Sequence, residues 1–529
     1  MAFLKSTTSK VAGVLALVAI ISITAVATSF LSGSSKHASA LPYDVAAVVK
    51  IDLKSSVSDM GFNFLDLLDI ISKYIEKSGD KKIDLSKSGI DFFSPIYFFS
   101  GKSYSNKMPE LGVVIPLSDS QLFKGFIKDI TSSNPVVFEE KDGIRFYTQN
   151  QNFIGFDDNK CLIISSDKWS NGDNTDKIRL RGLKLMKQEV SKSGRESELF
   201  SKLTSSPISA SISGELIGKY ISNNNSFNIS QMPFPYDFSD TYYTANIDFM
   251  YKGFSANASF ESDNDEFNKI MKESLKTFDE IEGDQLDKFS LNDDIFLAFN
   301  INGEEYYKYI LSFIPKDFRP FFDQAISNLK DMSVDVEKMF SAIDGDIYYS
   351  YPNIDLKSAD IQPMTLLAKE EDNSSFGIYS SALEGSLKGS DIFSIKKDGN
   401  NYVISAGEID WDASKNNNFS PYVYKDSSPI AYFGEHDNYI YVSSVEYKGD
   451  KVRGESMKEM KSKICGNNFF FTVNFDKLVP VIAKEYKTID FAELVKTLDR
   501  LNLYTKGFEA TGELLLNKSW KDIYNEYMK

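Results

Sequence analysis

Histidine and cysteine are almost missing from this 529-residue chain, which holds two of each. Zinc sites draw together three or four Cys, His or carboxylate ligands. A thiol protease or a Ser-His-Asp hydrolase needs a His beside its nucleophile. His37 falls in the N-terminal leader and His436 in "FGEHDNY", which reads as a surface hairpin turn. No residue is therefore assigned as catalytic, and neither a metal nor a cofactor is called for. Cys161 and Cys465 read as two buried thiols, or as one disulfide in an oxidising compartment.

Phosphate loops are absent as well. There is no G-x-x-x-x-G-K-[ST] and no G-x-G-x-x-G following a strand, nor H-E-x-x-H or G-x-S-x-G. "ESDNDEF", 261–267, alternates acids but lacks the Gly and distant Glu of a calcium loop. It reads as a solvated helix N-terminus, where acids oppose the dipole. Positive charge is in deficit, with 59 Lys and Arg against 75 Asp and Glu, a formal net of −16. Such a surface repels phosphate backbones, so nucleic acid is excluded as a partner.

What is present is apolar and aromatic: 42% hydrophobic residues, 41 Phe and 28 Tyr. That is ample for packed cores. Lys5 and Lys10 precede an uncharged apolar run, 11–30, and no charge falls between Lys10 and Lys36. Positive-before-apolar is the export signature, and twenty residues suffice to cross a bilayer as a helix. Ala38, Ser39 and Ala40 fit the small-residue cleavage pattern. Residues 1–40 are thus a signal peptide removed after Ala40, or an N-terminal anchor holding the chain at the membrane through 11–30. Either way the remainder is extracytoplasmic.

"YDVAAVVKID", 43–52, returns in kind as "DDIFLAFNIN", 293–302. Other pairs follow in the same order. "SPIYFF" at 94 meets "GDIYYS" at 345, and "KDGIRFY" at 141 meets "KDGNNYV" at 397. "DDNKCLIISS" at 157 meets "EHDNYIYVSS" at 435, and "SASISGELI" at 209 meets "FFTVNFDKL" at 470. "YKGFSANASF" at 251 meets "YTKGFEATGEL" at 504, each followed by an Asn-led amphipathic segment. The spacing predicts a tandem duplication: a first repeat at 41–282, a linker at 283–290 and a second repeat at 291–529.

In each copy a strand feeds an amphipathic helix, marked by Val57, Met60, Phe64, Leu67, Ile71 and Tyr74 in the first. Strands at 96–99, 111–116, 135–139, 144–149, 153–156 and 161–165 follow with turns too short for parallel crossovers. A helical stretch at 178–203, a hairpin at 241–250 and 253–261, and a closing helix at 265–281 complete the copy. The fold class expected is α+β, two duplicated domains, each a curved, mainly antiparallel sheet with helices packed on one face.

The stretch "LPYDVAAVVKIDLKSSV", with the aromatic hairpins and second copy behind it, resembles an uncharacterised family of bacterial cell-envelope proteins, many of them lipoproteins, described as a domain of unknown function. The resemblance covers roughly 41–529 and implies an envelope setting. It implies no activity, cofactor or catalytic residue. Unlike the lipoprotein members, this chain has no Cys before Cys161 to carry an N-terminal lipid.

"NNNSFNISQMPFPYDFSD", 223–240, has no counterpart in the second copy. Its Phe234, Tyr236 and Phe238 are candidate ligand-binding residues on a long loop, or rings covering the protein's own core. The leading expectation is a non-enzymatic envelope binding or structural protein, with an envelope protein or surface glycan as partner. The alternative is a carboxylate-dependent hydrolase acting on cell-surface glycans, for which a pair of acids suffices.

Overall fold

A computed structural model describes residues 35–63, 66, 72, 84–101, 110–130, 136–149, 151–165, 175–223, 238–312, 314, 317–331, 333–354, 362–387, 390, 393–406, 408–409, 422–423, 429–475, 478 and 496–527. The apolar run 11–30, and with it the expected anchor, lies outside them. So do Phe64, Leu67, Ile71 and Tyr74 of the expected helix face. Among the described residues, no helix is long and apolar enough to cross a membrane. The fold is α+β around antiparallel sheet. The described residues divide into two compact units, one running to Asn264 and taking back the chain from Leu516, the other holding Asp265–Leu515.

The first unit has ten strands: β1 (Val45–Ile51), β2 (Ile96–Gly101), β3 (Leu111–Pro116), β4 (Glu139–Lys141), β5 (Ile144–Gln149), β6 (Asn152–Phe156), β7 (Lys160–Ser165), β8 (Ile208–Ser213), β9 (Thr241–Met250) and β10 (Gly253–Ser262). They pair antiparallel in the order β4-β5-β6-β7-β3-β2-β1-β8-β9-β10. Short turns account for the antiparallel pairing. Asp142 and Gly143 both take positive φ (53° and 77°) between β4 and β5, the geometry a two-residue hairpin requires.

Helices cover both faces of this sheet, which corrects the one-face expectation. Leu162, Ile163 and Ile164 show why: a strand apolar without alternation must be buried on both sides. Ile163 joins a core with Phe123, Phe126 and Ile127 of α2 (Ser120–Ile130) and Leu53 and Val57 of α1 (Leu53–Met60). Leu162 and Ile164 join a second core with Ile178, Leu183 and Leu185 of α3 (Thr175–Lys187) and Leu199 of α4 (Glu198–Ser201). The stretch 178–203, expected as one helix, is broken into α3, two 3₁₀ turns and α4, with Ser193 and Ser197 capping the later pieces. The unit also includes α5 (Gly214–Asn223), which follows β8 directly.

The segment 35–41 belongs to this folded unit, and so does His37. Ser35–Ala40 forms a 3₁₀ helix whose His37, Ala38, Ser39 and Ala40 are all buried. The His37 ring bonds the Pro95 carbonyl through Nε2 (2.6 Å) and lies against Tyr97. Lys160, itself buried, donates to Ser39 Oγ (2.9 Å), and Gln188 Nε2 donates to the Ser39 carbonyl (2.7 Å).

The second unit begins with α6 (Asp265–Leu275), shorter than the expected 265–281. Beyond it, Ile281 N–H donates to the Asn467 carbonyl. Residues 283–290, expected as a linker, carry Leu286 and Phe289 into the core. The strands are β11 (Ile295–Asn302), β12 (Ile343–Tyr351), β13 (Thr365–Glu370), β14 (Phe393–Asp398), β15 (Asn401–Ala406), the small pair β16 (Glu408–Ile409) and β17 (Tyr422–Val423), β18 (Pro429–His436), β19 (Tyr439–Ser443), β20 (Phe469–Asn474), β21 (Leu498–Lys506) and β22 (Glu509–Leu516). Pairing runs β14-β15-β18-β19-β13-β12-β11-β20-β21, all antiparallel. Here too there is a core on each face, one around Phe296, Tyr348 and Phe470, the other around Phe376, Tyr402 and Phe433. His436 ends β18 beside a turn at Asp437 and Asn438, both at positive φ, as its sequence suggests. Both thiols are free; Cys161 is fully buried, and burial pushes its thiol up.

Each unit includes a helix that follows the last hairpin of the chain's other half. Trp520–Tyr527, the last helix, belongs to the first unit, where Trp520 Nε1 donates to the Met250 and Gly253 carbonyls (both 3.0 Å). In the second unit, the segment leaving α6 sets Phe278 against Tyr306 of α7 (Gly303–Ser312), and Asn302 N–H donates to the Thr277 carbonyl.

Candidate functional site

At the end of β8 in the first unit, Ser213 faces Tyr242 across the ladder. The chain turns at once into α5, which only glycine permits. A Cβ on Gly214 would sit 1.7 Å from Thr241 Oγ1 and 2.8 Å from the Phe238 carbonyl oxygen. Thr241 Oγ1 in turn donates to that carbonyl (2.7 Å). These elements leave a cavity of about 230 Å³ lined by Tyr43, Glu196, Glu198, Glu215, Tyr242 and Ser213, among others.

The polar groups of this cavity are unevenly satisfied. Tyr242 donates its hydroxyl to Glu198 Oε2 (2.5 Å), and burial together with that carboxylate raises its pKa, so it stays a donor. Lys202 Nζ lies 4.5 Å from the Tyr242 ring centre and pairs with Glu261 (2.8 Å) and Glu198 (3.5 Å). Burial pulls its pKa down, but the two carboxylates outweigh this and raise it. Ser213 is different. It is 8% exposed, and its Oγ has no hydrogen-bond partner among the described residues. A buried hydroxyl left unpaired costs about 1–3 kcal/mol.

Of the three aromatic candidates, Phe234 and Tyr236 lie outside the described residues. Phe238 lines the cavity, but its ring also lies flat on α5, where a Cβ on Gly218 would approach it to 2.6 Å. It therefore serves the protein's own packing as well as the wall. Sequence reasoning missed Ser213, Tyr242 and the acids. The only signal was the strand-glycine junction "SISGEL", which forces a tight strand-to-helix turn.

A second cavity, about 370 Å³, lies in the other unit and is lined by Lys288, Asp293, Ser350 and Lys448, among others. Its groups satisfy one another. Asp293 accepts from Ser350 Oγ (2.5 Å) and Ser290 N–H (3.2 Å), and Lys288 donates to the Gly449 carbonyl. Two carboxyls are held well above their usual range elsewhere. Burial, then the Glu435 charge, pushes Glu370 up to about 7; burial, then Glu371, pushes Asp344 up to about 6. Neither lines either cavity. Among the described residues, no three acids, His or Cys side chains converge as a metal site would need.

Two antiparallel α+β units, each with helices on both sheet faces and a polar pocket in the first, define the class. The chain belongs to a family described as a domain of unknown function (DUF4836), which matches residues 38–461. No curated protein matches it significantly. Solved structures of TP0453 resemble it only remotely. Crystal form I is 13% identical, covers 46% of this chain and 85% of its own, and has a TM-score of 0.26. Crystal form IV is 12% identical, covers 42% and 79%, and has a TM-score of 0.29.

Proposed function

We propose that the chain is an extracytoplasmic envelope protein, made by tandem duplication of one α+β module, that binds a ligand at the Ser213 cavity without transforming it. The export reading rests on Lys5 and Lys10 before the apolar run 11–30. Duplication is supported by the strand orders, in which each β1–β10 position has its β11–β22 counterpart once β16 and β17 are set aside. Both copies also start with a 3₁₀ turn before the first strand, and each is closed by a helix following the hairpin of the opposite half.

One observation carries the binding reading. With Asp44 matched to Asp294, the ladders place Ser213 and Tyr242 opposite Thr472 and Asn502. In the second copy Thr472 Oγ1 donates to Asn502 Oδ1 (2.9 Å), closing the pair. In the first copy Ser213 Oγ has no such partner among the described residues, and Ser213 and Tyr242 both line a cavity. The hydrolase reading needs an acid held protonated near neutral pH across from a second carboxylate. Glu370 and Asp344 have the former property but line neither cavity. The test is cell fractionation with saturable-binding and product assays of the purified full chain on envelope saccharides and amines. Envelope location with binding and no product supports the reading; cytoplasmic residence or steady turnover refutes it.

A further inference from the structure

Helix α8 (Arg319–Asp331) in the second unit carries an apolar stripe that the unit does not cover. None of its residues is buried. Phe318, one residue ahead of it, is 60% exposed, Phe321 74% and Leu329 38%, and Ala325 is exposed too. Spacings of three and four set these four on one side of the helix. Phe322 and Ile326, at the stripe's other edge, are half-buried, so only that edge faces the unit. A surface helix ordinarily turns its whole stripe to the core. Nor is α8 a frayed end. Arg319 Nη1 donates to the Leu311 carbonyl (3.2 Å), Val334 N–H donates to the Leu329 carbonyl (2.9 Å), and Lys330 pairs with Asp335 (3.1 Å). Both ends are held, with the rings outward.

We infer that α8 lies flat on a lipid bilayer, with Phe318, Phe321, Ala325 and Leu329 set among the acyl chains. The inference goes beyond the cavity reading and leans on the export reading, because the apolar run 11–30 is what brings a bilayer within reach. Amphipathic helices sink their apolar face about 5–10 Å into the boundary between headgroups and chains. From Phe318 to Leu329 the stripe runs about 16 Å, so it can lie on a hydrocarbon core roughly 30 Å thick but not cross it. A second copy fits less well. Phe318, Phe321 and Leu329 together leave roughly 350 Å² open, taking about 200 Å² for a whole ring. Face to face, two stripes would remove about 700 Å², short of the roughly 1,200 Å² of a stable interface. Fluid acyl chains need no matching surface around the stripe. Charge selects the lipid. Arg319 and Lys330 balance Asp323 and Asp331 within the helix, and Arg319 pairs with Asp323 (3.2 Å). The whole chain carries −16, which an anionic surface repels. The lipid this face suits is therefore zwitterionic.

The experiment places the full chain in phosphatidylcholine vesicles, plain or brominated on the acyl chains, and reads one added tryptophan. Phe321→Trp probes the stripe and Ser327→Trp the side away from it, each less the emission of the parent's three Trp. Both sites are exposed, so both variants should melt as the parent does, and Leu329→Trp repeats the stripe reading. The Phe321→Trp emission is expected to shift to the blue and to lose about half its intensity to brominated chains, as a ring at that depth should. The Ser327→Trp emission should lose little to bromine and be quenched by aqueous iodide. Adding Phe318→Ser and Leu329→Ser to Phe321→Trp should cut the bromine loss several-fold. Equal iodide quenching of the two probes puts the stripe in water and overturns the inference. Phe321→Trp emission shielded from both quenchers puts the ring against protein, a second copy included, and overturns it too. Either result leaves the cavity and export readings standing. A full chain that does not float with plain vesicles removes the export reading along with this one.

Discussion

Asp346 is fully buried, yet its carboxylate gathers donors from three segments. It accepts from Glu282 N–H (3.0 Å to Oδ1 and 3.1 Å to Oδ2), Gly283 N–H (2.8 Å), Asn300 Nδ2 (2.9 Å) and the Tyr348 hydroxyl. It therefore pins the entry turn of the second unit to β11 and β12. Replacing it by Ala leaves three N–H groups without their acceptor, and each buried unpaired donor costs about 1–3 kcal/mol. Water entering the vacated volume recovers part of this, and Tyr348 can turn its hydroxyl, so a net loss of about 4 kcal/mol is expected for Asp346→Ala. Asp346→Asn keeps one carbonyl oxygen but turns two amide donors toward other donors, and should lose about 2–3 kcal/mol. Urea denaturation reads both as midpoint shifts at constant m-value. Hydrogen exchange at the Glu282 and Gly283 amides should accelerate in step. Losses below about 1 kcal/mol in both variants would show that the turn is held by packing of Leu286 and Phe289, and that the carboxylate network is dispensable.

A chain beginning at Leu41 forfeits the buried His37–Ala40 segment and leaves Lys160 Nζ without Ser39, so it should be about 1–3 kcal/mol less stable in denaturation; equal stability would show that the segment is dispensable to the fold. Gly182→Ala gains about 1 kcal/mol of helix propensity but puts a Cβ 2.3 Å from the buried Phe153 ring, a clash costing about 1–3 kcal/mol, so a net loss is expected and a gain refutes the close packing. Glu370 has a folded pKa near 7, above its ordinary value, so the native state holds the extra proton; its contribution is complete below the unfolded carboxylate pKa and is lost as pH rises through about 7. Glu370→Gln should therefore melt progressively higher than the parent chain as the pH is raised from 5 to 8, with Glu435 no longer facing a charge; a pH-independent difference contradicts this.

Strand pairing was legible where turns spelled themselves out. "YKGF" between β9 and β10 marked the position of that hairpin, and "KDG" marked the turn between β4 and β5, although β4 lies at Glu139–Lys141, later than the expected 135–139. Helix α2 was readable and overlooked: Asp119 caps it by accepting from Gln121 and Leu122 N–H, and Phe123, Phe126 and Ile127 form its stripe. Burial of the segment 35–41 was not legible, because small residues pack as readily in a core as they lie in a protease cleft. Two-faced burial was present in the runs "GVVIP" and "CLII", which do not alternate. The exchange of closing helices was not legible, since an apolar stripe names no partner. Nor was Ser213, because what marks it is a missing hydrogen bond, and sequence records residues, not their partners.

Central to the proposed function is a doubled module whose first copy alone binds a ligand, in the cavity that Ser213 and Tyr242 line. Its most direct test is the number and place of ligand sites in the full chain titrated and crystallised with envelope saccharides and amines. The expected result is one ligand per chain, in the cavity beside Tyr242. Two equivalent sites, one of them at Thr472 and Asn502, or a single site remote from Ser213, would contradict it.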